Sequence, residues 1–171
     1  DIRRGGTYDP SRWEVKSLVL GWVQGGLVQA TFFEFPLRIM SRARTLKPLP
    51  PDVLAASPPV RTDEFPDGLS GLAPGPLAVV REANALLRAA NAVILALNRQ
   101  GKPAVLMHPR NSSVWSFAGI RRLGNNAFGF FAETDLCTWG SVGRQRWGIL
   151  GLRVNLSPLR GVCCGRSRCS N

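Results

Sequence analysis

The chain has 171 residues, 44% of them hydrophobic, so it is long enough for one domain with a buried core and is not disordered by composition. It carries 22 Lys+Arg against 11 Asp+Glu, a net charge of +11, and all of those bases except Lys16, Lys47 and Lys102 are arginines. That excess argues against an enzyme for small neutral substrates and suits a protein held against a polyanion, most simply nucleic acid.

Asp9 or Ser11 can cap a first helix running to about Gln24, with Trp13, Leu18, Trp22 and Val23 as its apolar positions and Gly25-Gly26 as its stop. Trp13 and Trp22 are expected in the core. Leu27 to Phe35 is short, aromatic and β-branched, and reads as a buried strand. Residues 45–75 hold seven prolines, so this stretch is expected to wrap a surface without regular structure. Pro76 suits the first turn of a helix that runs to about Gln100 and stops at Gly101. Its Leu77, Val80, Ala83, Leu87, Ala90, Ile94 and Leu97 form one stripe.

Ala104 to Met107 is a second buried strand, and Ser113 to Leu123 a short helix capped by Asn111 or Ser112. Ala127 to Ala132 and Trp147 to Val154 read as strands, with an antiparallel pairing between them open. Strands alternating with helices imply an α/β layer fold with a mostly parallel sheet over residues 1–155, followed by an irregular basic tail over 156–171. No run of 18 apolar residues lacks charge, so no transmembrane helix is expected.

The charge is uneven along the chain. Residues 111–171 hold 8 bases against Glu133 and Asp135 only. Candidate phosphate contacts are Arg38, Arg42, Arg44 and Lys47 in one loop, Arg121 and Arg122 at a helix end, Arg144 and Arg146 between Trp139 and Trp147, and Arg160, Arg166 and Arg168 in the tail. Arg121 and Arg122 also suit a helix C-terminal dipole without any ligand. Cys137, Cys163, Cys164 and Cys169 are the one set that could hold zinc, but the Cys164–Cys169 spacing is only loosely finger-like and no His follows. Free thiols are the simpler reading. His108, the single histidine, reads as a hydrogen-bonded structural residue at a strand end.

Four stretches in order carry a family resemblance: Ser41-Arg42-Ala43-Arg44 after a strand; Arg61-Thr-Asp-Glu-Phe-Pro-Asp-Gly-Leu-Ser-Gly-Leu72 leading into Val80-Arg-Glu-Ala-Asn-Ala-Leu86; Val105-Leu-Met-His-Pro-Arg-Asn-Ser-Ser-Val-Trp115; and Asp135-Leu-Cys-Thr-Trp-Gly140. Their order resembles the catalytic half of a class I, S-adenosylmethionine-dependent methyltransferase of the cytosine-C5 type, in the divergent form found in mobile elements of unicellular eukaryotes. The resemblance implies an incomplete Rossmann-like sheet with flanking helices. It also sets three requirements that these residues do not meet. The position of the nucleophilic cysteine is Leu37, that of the catalytic glutamate is Met107, and the glycine-rich cofactor turn would lie before Asp1. The resemblance therefore implies a pseudoenzyme with no cofactor.

There is no initiator Met or signal-peptide pattern at Asp1, so the N-terminus reads as processed or incompletely known. If the chain starts there, the family's first strand is missing and strand 27–35 is left with an open edge. A basic half-domain of this kind is expected to be an obligate member of a larger assembly. The leading expectation is a non-catalytic structural subunit of a ribonucleoprotein, a mitochondrial ribosome, touching ribosomal RNA and neighbouring ribosomal proteins. The alternatives are a peripheral subunit of a membrane or photosynthetic complex, and a nucleic-acid methyltransferase completed by another chain. No helix-turn-helix, finger or basic-zipper pattern supports a free DNA-binding module.

Overall fold

A computed structural model describes residues 12–35, 60–139 and 145–160. The chain folds as a mixed α/β structure. In order come α1 (Trp13–Gln24), β1 (Thr31–Glu34), α2 (Pro74–Arg99), β2 (Ala104–Pro109), a 3-10 turn at Ser113–Ser116, α3 (Ala118–Gly124), β3 (Gly129–Asp135), a second 3-10 turn at Leu136–Trp139, β4 (Arg146–Leu152) and a third at Ser157–Leu159.

The four strands form one sheet in the order β1-β2-β4-β3. β1 pairs parallel with β2, Thr31 opposite Ala104 and Glu34 opposite Met107. β4 pairs antiparallel with both β2 and β3. The expected mostly parallel sheet is therefore corrected to a mixed one. β1, β2 and β3 point the same way, and β4 returns between β2 and β3. The reason is a short connection: residues 136–145 are too few for a helical crossover, so β4 turns back beside β3.

One face of the sheet carries the main core. Ala104 and Leu106 of β2, with Leu150 and Leu152 of β4, are buried against Leu87, Ala90, Ile94 and Leu97 of α2 and Ile120 and Leu123 of α3. The α2 stripe is the expected one. The helix starts two residues earlier than expected, at Pro74, where a missing N–H costs nothing. The opposite face is covered over a smaller area, where Leu156 packs on Ala132 and Ile149 with Val154 beside them. Leu156, assigned to the tail by sequence, is thus part of the sheet's packing.

Three further expectations change. The first strand is only Thr31–Glu34, because only these residues find partners on β2; Leu27 is exposed. Residues 113–123 divide into a 3-10 turn and α3, with Ser112 Oγ accepting from the Val114 N–H at the start. Trp13 and Trp22 are 71% and 45% exposed, and α1 instead buries Val23, with Val19 and Leu20 packed beside it. Among the described residues nothing pairs with the outer edge of β1.

Loop 60–73 is pinned to α2 by a buried arginine. The Arg61 guanidinium donates to the Pro66 carbonyl and, at 3.1 Å, to that of Val80. Burial pushes its pKa below the usual arginine value, with Asp67 acting in the opposite direction. Asn84 donates to the Asp67 carbonyl at 2.8 Å and Gly68 takes φ +118° against Val80, a backbone shape that suits glycine alone.

Candidate functional site

The sheet has two ends of different character. At the upper end, β1 and β2 finish side by side and β4 begins. This end holds the strand segments that the family resemblance associates with chemistry. Met107 is half-buried and packs on the smaller cluster. His108 is fully buried on the helix side, its ring centroid 6.4 Å from that of Phe35. Among the described residues neither of its ring nitrogens meets full hydrogen-bond geometry, and the Phe35 backbone is the polar group that acts on the buried ring. Desolvation pushes its pKa down to about 4, the Phe35 backbone acting the other way.

The polar groups around this end are committed to the fold. Arg110 pairs with Glu133 and lies 5.6 Å over the Phe131 ring. Trp115 donates to the Pro109 carbonyl at 2.8 Å and meets Phe131 edge-on at 5.1 Å. Trp139 donates to Thr134 Oγ1 at 2.7 Å. Arg146 pairs at 3.4 Å with Asp135, whose side chain is 1% exposed. Removing the arginine would weaken the compensation of that buried carboxylate. Arg146→Gln is expected to lower the unfolding free energy by about 1–3 kcal/mol in urea denaturation, well beyond the usual effect of a surface substitution. A change within about 0.5 kcal/mol would instead leave Arg146 as a surface charge.

The basal end is where β2 and β3 begin, β4 ends, and all three helices finish. Arg99 lies in the last turn of α2, and Arg121 and Arg122 in the last turn of α3. The Lys102 ammonium donates to the carbonyls of Gly26 and Val28, at 3.0 and 2.9 Å, just beyond α1. Arg153 and Arg160 follow β4. Arg153 Nε donates to the backbone and side-chain oxygens of Asn98, at 3.1 and 3.0 Å, and the guanidinium sits 3.8 Å over the Phe128 ring. Arg160 sits 4.8 Å over the Phe130 ring. Apart from Lys102, which is half-buried, these cations are exposed.

No acidic side chain of the described residues accompanies these six cations. Glu14 opens α1; Glu34, Glu133 and Asp135 close strands at the upper end; Asp63, Glu64 and Asp67 precede α2; and Glu82 is in its first half. A helix C-terminus carries about half a negative charge, so three of them together offset about 1.5 of the six positive charges. Dipole complementarity accounts for part of the cluster and leaves most of its charge uncompensated.

Of the arginines singled out by sequence, Arg121 and Arg122 end α3 on the helix side of the basal end, Arg160 lies near that end over Phe130 on the opposite face of the sheet, and Arg146 lies at the other end of β4 in an ion pair. Arg38, Arg42, Arg44, Lys47, Arg144, Arg166 and Arg168 lie outside the described residues, as do Leu37, Cys163, Cys164 and Cys169. Cys137 is half-buried with a free thiol, and no group of three metal-ligating side chains exists among the described residues. Sequence reasoning missed Arg99, Lys102 and Arg153. The first two carry a readable signal, basic residues around a helix stop; Arg153 carries none, since its role depends on β4 ending beside α2. No helix among the described residues is long and apolar enough to cross a membrane. No known protein family, curated protein or solved structure matches the chain.

Proposed function

We propose that this chain is a non-catalytic RNA-binding domain, a structural subunit of a ribonucleoprotein held to RNA through its basal end. The observation that carries this reading is the gathering of six cations, with no described acid among them, where α1, α2, α3 and β4 end. The net +11 of the whole chain and its bias to arginine support the same polyanionic partner. An organellar ribosome, in the mitochondrion, is the setting proposed for such a subunit, with ribosomal RNA and neighbouring ribosomal proteins as its contacts.

The methyltransferase-like ancestry belongs to the same proposal. Parallel β1 and β2 joined through α2, and a reversed strand inserted before the last one, are what the far half of a class I methyltransferase sheet would leave. The loss of activity rests on side-chain chemistry. Leu37 cannot attack a base and Met107 cannot hold its protonated ring. His108, buried and neutral, is no substitute.

Titration of RNA binding against salt tests the reading. Each phosphate neutralised releases counterions, so a footprint of four to six phosphates is expected to give a log–log slope of roughly −3 to −5. Binding to S-adenosylmethionine is expected to be undetectable by calorimetry. A salt-independent affinity, or none at low salt, would remove the proposed function; a saturable S-adenosylmethionine isotherm would remove its non-catalytic part.

A further inference from the structure

Charge alone does not explain how two of the basal arginines are held. Arg153 is the only non-glycine residue among those described with positive φ, at 54°. Such a backbone costs about 1 kcal/mol or more for an ordinary side chain and persists only where its surroundings impose it. Here the Arg153 backbone N–H donates to the Phe128 carbonyl at 3.1 Å, its single Nε–H is shared between the two oxygens of Asn98, and the Phe128 ring lies against the guanidinium. Phe128 itself is 51% exposed, and Arg160 lies over Phe130 two residues on. Arg153 is thus held close over an exposed ring, while Arg160 lies farther over a half-buried one.

Capping of α2 does not require this. A lysine ammonium would serve the Asn98 carbonyl as well, as Lys102 serves those of Gly26 and Val28. What the Arg153 stack adds is a fixed plane, with the rotational freedom of a long side chain already removed. A fixed guanidinium plane is a surface on which an unpaired base can stack. The bases of a duplex are stacked on one another inside the helix and have no face to offer.

We infer that the basal end takes single-stranded nucleic acid, with an unpaired base stacking on the plane of Arg153 and phosphates met by Arg99, Arg121 and Arg122. This rests on the RNA-binding reading above and narrows it from any polyanion to a strand with free bases.

The test measures fluorescence anisotropy of the full chain with a labelled, non-self-complementary 12-nucleotide RNA and with the 12-base-pair duplex of the same sequence. Arg153→Lys keeps the charge and loses the plane. Phe128→Ala removes the support, at a side chain already half exposed. Each is expected to weaken single-strand binding about fivefold or more while duplex affinity changes less than twofold. Arg121→Gln with Arg122→Gln is expected to weaken both and to flatten both salt slopes. Equal losses on the two RNAs, or unchanged single-strand affinity in Arg153→Lys and Phe128→Ala, would overturn the stacking proposal while leaving RNA binding intact. Failure of the unaltered chain to bind either RNA at low salt would overturn both.

Discussion

Acidification from pH 7.5 to pH 4 is expected to destabilise this protein by about 3 kcal/mol through His108 alone. The imidazole is fully buried between the sheet and its helices, and desolvation pushes its pKa down to about 4, against 6.5 for the ordinary group. The folded state therefore keeps the neutral ring. Above pH 6.5 both states are neutral and the folded state bears no penalty. As pH falls through 6.5 the unfolded chain takes up a proton that the folded chain refuses, so stability is lost between about 6.5 and 4 and levels off below. The carboxylates also titrate in the lower part of that window, so the measurement is a difference: unfolding free energies against pH for the natural chain and for His108→Leu. The leucine variant is expected to lose the slope between pH 6.5 and 5 and to change stability little at pH 7.5, since the buried ring it replaces makes no well-formed hydrogen bond. An unchanged slope would mean that His108 is solvated or paired in solution.

Truncation of Leu106 is the second large effect. Leu106 is fully buried at the middle of β2, the strand between β1 and β4, and faces the stripe of α2. Leu106→Ala is expected to cost about 2–5 kcal/mol, a large part of the stability of a domain this size. Trp13→Ala and Trp22→Ala are expected to cost less than about 1 kcal/mol each in the isolated chain, despite the larger side chains, because α1 buries Val23 on its inner face. Urea denaturation of the three variants checks the order. A Trp22→Ala loss as large as that of Leu106→Ala would place the inner face of α1 on the wrong side.

Those two tryptophans show where the sequence could be read and where it could not. α2 was legible because 26 residues repeat one apolar stripe, and a long run averages out exceptions. α1 spans 12 residues with apolar side chains on more than one side, so composition does not choose between Val19, Leu20 and Val23 on one hand and Trp13 and Trp22 on the other. Strand existence was legible at β2, β3 and β4, and the β3–β4 pairing was among the possibilities. The insertion of β4 between β2 and β3 was not, since strand order depends on connection geometry rather than on the apolar run. At the site, the helix-end arginines Arg121 and Arg122 were legible from local sequence. The basal cluster as a unit was not: it brings together residues 99 to 160 by the way strands and helices end together. The same topology separates Arg146 from the cluster and gives it Asp135.

The central claim is that position, not total charge, directs this domain to RNA. Two variants of equal net charge test it most directly: Arg99→Gln with Arg121→Gln and Arg122→Gln at the basal end, and Arg12→Gln with Arg81→Gln and Arg88→Gln elsewhere. The expected result is a salt slope shallower by about 2 and an affinity lower by at least tenfold for the basal triple only, with the second triple close to the natural chain. Equal losses in the two triples would contradict the claim and leave a basic protein that binds RNA by charge without a site.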